Sequence, residues 1–151
     1  MSDIVKPVDS RIRYLSPTLI TLPMGANVQL SKSFNSSEFE DITCAYLLVD
    51  LQLVTMLQRL RDHLMVPIKV TSGFRSFKKQ EALRLQGYET AKGMSTHEVG
   101  CAADINCYGR FDGEAMEKAA RAVGFKSVGV AKSWIHVDIR MDEEFRQWRY
   151  R

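Results

Sequence analysis

Residues 134–140, Trp-Ile-His-Val-Asp-Ile-Arg, constrain the fold of this chain more than any other stretch. Side chains along a strand alternate between faces, so Ile135, Val137 and Ile139 share one side while Trp134, His136, Asp138 and Arg140 share the other. A wholly apolar inner face demands a core beneath it. The outer face then sets an imidazole beside a carboxylate, although taken alone the same alternation also describes an edge strand with a polar solvent face. A chain of 151 residues supplies the necessary core, since at this length about 68–70% of the unfolded surface is buried on folding.

Other segments supply what such a strand packs against. From Asp50, Leu53, Met56, Leu57, Leu60 and Leu64 recur on one helical face, with Arg59, Arg61 and Asp62 outside. Pro67 closes that helix, and Ile68 and Val70 alternate with Lys69 and Thr71 as a strand that ends in the turn Ser72-Gly-Phe-Arg-Ser76. Phe77 to Gln86 reads as a second helix with Ala82 and Leu85 inward, stopped by Gly87. Tyr88 to Met94 reads as a polar loop. A third helix is capped by Asp112, carries Met116, Ala119, Ala120 and Val123 on one face and stops at Gly124. Strand candidates follow at Phe125–Val130 and Trp134–Ile139. Ser37 with Glu40 suggests a capping box opening a short helix. Residues 1–30, with Pro7, Pro17, Pro23 and Gly25, are expected to form an irregular arm or a few short extended pieces. The tail from Met141, with Phe145 and Trp148 three apart, is expected to be a short docked helix. No repeat or linker intervenes, so the expected fold is α+β, with helices on a small, mainly antiparallel sheet in one domain over 31–151.

Composition narrows the function classes. Hydrophobic residues at 45% and charged residues at 26% are ordinary globular usage, and no apolar run reaches the length of a membrane span. The formal charge of +3 comes without a Lys/Arg run, so neither nucleic-acid binding nor stable membrane insertion is expected. Cys44, Cys101 and Cys107 lack C-x-x-C spacing and read as free thiols. The first twenty residues do not read as a secretory signal, so synthesis in a cytoplasm is expected.

A second segment, Ser95-Thr-His97-Glu-Val-Gly100-Cys-Ala-Ala-Asp104, leads a histidine through a glycine turn into a small-residue run ending in a carboxylate. His97, Asp104 and His136 can converge on one ion, and two imidazoles with one carboxylate leave a coordination position open, as catalytic zinc sites do. His97-Glu98 does not continue as H-E-x-x-H because Cys101 holds the final position, and no P-C-x-x-C follows as zinc deaminases require. His63 falls on the polar side of its helix and reads as a surface residue.

Ser72-Gly-Phe-Arg-Ser76, then Ser95-x-His97-x-x-Gly100-x-Ala102-x-Asp104, then Trp134-Ile-His136-Val-Asp138 resemble, in order, three signature blocks of the zinc D-alanyl-D-alanine carboxypeptidase family. That family includes phage L-alanyl-D-glutamate endopeptidases and shares its fold with the hedgehog signalling domain. The resemblance implies a hedgehog-like or DD-peptidase-like α+β fold, Zn2+ held by His97, Asp104 and His136, and Arg75 binding substrate near the scissile carbonyl. It implies a metallopeptidase that cuts an amide bond in the stem peptide of peptidoglycan, as a carboxypeptidase or an endopeptidase, in an endolysin-like phage or prophage product acting on the cell wall. Some members place Glu or His three residues before the last ligand, where this chain has Ser133. Asp138 is then the leading candidate for the general base, or else a carboxylate that orients His136 or His97. Ser95 is expected to line the site by hydrogen bonding and Trp134 as an apolar wall. The alternative function is a non-catalytic, zinc-stabilised module that binds cell-wall peptide or a protein partner.

Overall fold

A computed structural model describes residues 4–87, 95–140 and 145–150. In chain order the elements are β1 (Arg13–Tyr14), β2 (Leu19–Pro23), a 3-10 turn (Ser36–Phe39), β3 (Tyr46–Asp50), α1 (Leu51–Leu64), β4 (Lys69–Ser72), α2 (Phe77–Leu85), a second 3-10 turn (Thr96–Val99), β5 (Ala102–Asn106), α3 (Gly113–Ala122), β6 (Ser127–Val130), β7 (Ile135–Asp138) and β8 (Arg146–Arg149). The fold is α+β. One sheet runs β4-β5-β7-β6-β8, antiparallel except for the parallel β6–β8 pair, and an antiparallel β1-β2-β3 sheet accompanies it.

Helix α1 forms where its periodicity places it. The Asp50 carboxylate accepts the Gln52 N–H as a cap, Leu53, Val54, Leu57 and Leu60 are buried, and Met65 ends the helix at φ 59°. Helix α3 is capped by Asp112 and packs Met116, Ala119 and Ala120 against β6, β7 and α1. One apolar cluster joins the two sheets, from Ile20 and Leu22 through Phe34 and Phe39 to Ile105, Val128, Ile135 and Val137.

Four local expectations change. The short extended pieces of the N-terminal stretch are real strands: β2 pairs along β3 and buries Ile20 and Leu22, so the stretch is built into the core instead of lying as an irregular arm. The capping box belongs to Asn35 and Glu38, two residues earlier than the Ser37/Glu40 pair, because it closes the 3-10 turn that buries Phe39. Helix α2 buries Gln80, while Leu85 is 77% exposed. The polar side chain faces inward because it has a polar partner there, Arg75. Within the tail, Arg146–Arg149 form the strand β8, not a helix, since backbone pairing with β6 outweighs the weak helical pattern; 141–144 and the expected polar loop 88–94 lie outside the described residues.

Two strands position the site. β5 and β7 are neighbours with Asp104 opposite His136, and β6 flanks β7 on its other side with Gly129 opposite His136. β7 is therefore central, and its polar face is as buried as its apolar one: His136 is 5% and Asp138 1% exposed. That rules out the edge-strand reading, and buried charge at this density requires partners.

Candidate metal centre

His97 arrives from a tightly held turn. Ser95 caps the 3-10 turn by accepting the His97 N–H while Glu98 accepts the Ser95 N–H, and Gly100 closes it at φ 74°. The Gly73–Arg75 turn lies against it: the Arg75 N–H donates to the His97 carbonyl, and the Phe74 N–H to that of Phe39. Gly73 allows this approach, because a Cβ there would sit 2.8 Å from the Phe39 Cα.

The hydrogen bonds fix both histidine tautomers. The Gly73 carbonyl only accepts, so His97 Nδ1–H donates to it at 2.7 Å, leaving the Nε2 lone pair free. The Asp138 carboxylate likewise takes His136 Nε2–H at 2.8 Å, leaving the Nδ1 lone pair. Those two lone pairs lie 3.1 Å apart, and Asp104 Oδ1 completes the triangle at 3.3 Å from His97 Nε2 and 3.1 Å from His136 Nδ1. Three acceptors facing one another with neutral rings repel unless a cation sits among them.

The donor set fits zinc. Tetrahedral zinc with bonds of about 2.0–2.1 Å has ligand–ligand edges of about 3.3–3.4 Å, close to the three separations here. His97, Asp104 and His136, all buried, are the group of His, Cys, Asp and Glu residues that could hold an ion among the described residues.

The titration properties follow from the same contacts. Burial alone would raise the Asp104 pKa, but its close contacts with His136 and His97 overcome it and keep the carboxyl ionised well below the usual range. Burial lowers the His97 pKa and keeps that ring neutral, as a ligand must be. In His136 burial also pulls down, but Asp104 and Asp138 outweigh it and raise the pKa. A proton and a metal ion thus compete for Nδ1.

The surrounding groups hold the ligands in place. Arg75 donates from Nη2 to Asp104 Oδ2 at 2.8 Å, from Nε to Ser72 Oγ and from Nη1 to Gln80 Oε1. Its guanidinium is thus engaged with a ligand carboxylate. Ser95 caps the His97 turn. Asp138 does not fit the role of general base, because it lies behind the His136 ring, on the side away from Asp104 and His97, and also takes hydrogen bonds from Ser127 and Arg140. Burial opposes its ionisation, yet the His136 and Arg140 hydrogen bonds lower its pKa to about 2. His63, in the last turn of α1, takes no part in the cluster.

Sequence reasoning missed three contributors. Gln80 anchors Arg75, and Trp148 and Tyr150 of the C-terminal segment stand at the site, Trp148 with its ring centroid 5.3 Å from that of His136 and Tyr150 4.8 Å from Trp134. The signal available for Trp148 and Tyr150 was their period-2 spacing, which places both on one face of an extended segment.

A fold that brings two histidines and an aspartate from separate elements to one buried, three-cornered site defines a metallopeptidase-like protein. Residues 27–138, most of the chain, match the peptidase M15 family, that of the zinc D-Ala-D-Ala carboxypeptidases, and the chain belongs to that family. No curated protein matches the chain.

Proposed function

We propose that the protein is a zinc peptidase that hydrolyses an amide bond in the stem peptide of bacterial peptidoglycan. The observation that carries this reading is the convergence of the His97 and His136 lone pairs and Asp104 Oδ1, each oriented by a hydrogen bond or ion pair on its far side. Bound there, zinc would lower the pKa of a water to about 7 and polarise the scissile carbonyl. The chain's own groups do the rest. Asp138 and the Gly73 carbonyl hold the imidazoles in the ligating tautomer, and Arg75 pairs with Asp104 Oδ2 so that Oδ1 faces the two rings. On this reading Arg75 and Asp138 are positioning residues.

A specific observation favours a second reading. Asp104 and Asp138 are the carboxylates within ion-pair distance of the two imidazoles among the described residues; the first belongs to the ligand set and the second faces away. Ser133, which is exposed, offers no proton acceptor at neutral pH. A zinc-stabilised module that binds stem peptide without cutting it would need none.

Mass spectrometry of peptidoglycan fragments after incubation with zinc-loaded protein, beside a chelated sample, separates the readings. Loss of one alanine identifies a carboxypeptidase, and separation of L-Ala from D-Glu an endopeptidase, each blocked by chelation. Unchanged fragments with zinc bound would overturn the peptidase reading in favour of the module.

A further inference from the structure

Strand β8 lies beyond the residues that match the family, yet it reaches the metal centre. In register, Gly129 of β6 faces His136 on one side and Trp148 on the other, so these three residues form a row across adjacent strands. The outer two are separated by two strand spacings, about 9–10 Å. The missing side chain at Gly129 lets them meet: a Cβ there would stand 2.5 Å from the Trp148 Nε1 and 2.6 Å from Tyr150 Cε2. The Trp148 indole leans through this gap onto the His136 ring, Arg140 lies over its face at 5.7 Å, and Tyr150 packs between Trp148 and Trp134. Unlike His136, these three aromatics are partly exposed. They form a continuous wall that runs from a metal ligand out to solvent.

We propose that Trp134, Trp148 and Tyr150 form a specificity wall on which the substrate residue next to the scissile bond packs. The inference rests on the peptidase reading for its substrate, and the contact between Trp148 and a ligand ring determines which residue the wall reads. With the Trp148 ring centroid 5.3 Å from that of His136, a peptide group held at an ion on His136 would lie beside these rings. Flat aromatic faces suit a small side chain and an extended peptide backbone.

Two arms test it. In the kinetic arm, with zinc-loaded protein and a synthetic stem pentapeptide ending in D-Ala-D-Ala, Trp148→Ala and Gly129→Ala are each expected to raise KM about three- to tenfold, the size of a lost aromatic contact, with little change in kcat. Zinc stoichiometry is measured on each variant as a check on folding, and Trp148→Phe is expected to restore most of the loss. In the binding arm, Trp134→Phe leaves Trp148 as the single tryptophan of the two in the sequence, and the pentapeptide is expected to shift its emission. An emission shift without turnover in the wild-type protein would sink the peptidase reading and leave the wall standing. Turnover with unchanged KM in both alanine variants would overturn the wall and leave the peptidase. Neither turnover nor an emission shift would overturn both.

Discussion

The apolar layer around α1 and the polar layer between β5 and β7 are equally buried, but they are stabilised in opposite ways. Around α1, Leu53, Val54, Leu57 and Leu60 exclude water and need only volume and shape. Between β5 and β7, Asp104, His136 and Asp138 are buried as polar or ionised groups, tolerated because Arg75 pairs with Asp104, Asp138 takes the His136 N–H, and Ser127 and Arg140 donate to Asp138, with an acceptor triangle at the centre that a cation completes. The first region carries the fold's stability and the second its chemistry. Substitutions should separate the two.

The sharpest separation comes from His136→Ala, which removes one corner of the triangle. Hydrolysis of stem peptide should fall below detection and zinc binding should collapse, while circular dichroism stays close to wild type because the apolar face of β7 is untouched; retained turnover would break the comparison. Leu57→Ala should do the reverse, costing about 2–5 kcal/mol in urea unfolding with zinc stoichiometry unchanged. Asp138→Asn keeps the shape but weakens the support behind His136, and competition with a chelating dye should show zinc held about 10- to 100-fold less tightly. If Asp138 were instead the proton acceptor, turnover would fall with zinc affinity intact.

Acid sharpens the contrast further. The folded Asp138 pKa is lowered to about 2 from an ordinary 3.8, so its contribution to stability is complete above the ordinary value and is lost as pH falls toward 2. Melts of metal-free protein between pH 5 and 2 should therefore show an acid limb that is shallower in Asp138→Asn and unchanged in Leu57→Ala. The smallest effect expected is that of Asn35→Ala, about 1 kcal/mol from the lost cap, with no change in zinc affinity.

The same comparison explains how much was legible in the sequence. Helix α1 and helix α3 could be read because their periodicity and caps, Asp50 and Asp112, are local. His97, Asp104 and His136 could be read because small residues and strict alternation surround them, and the structure brings all three together. The role of Arg75 could not, since a side chain's partner depends on which turn folds against which strand, and for Asp138 the sequence left proton acceptor and support for a histidine as alternatives, of which the geometry fits the second. The tail misled for a related reason: a parallel strand takes its pairing from a distant partner, and nothing within 145–150 records that β6 offers a glycine opposite Trp148. The β1-β2-β3 sheet was missed because strands of two and five residues among prolines show too little alternation to register.

The most direct test of the account is native mass spectrometry of the protein titrated with zinc, alongside His97→Ala, Asp104→Ala and His136→Ala. A single tightly held zinc is expected per wild-type chain and none in each folded variant. Equal zinc retention after loss of any of the three residues would contradict it.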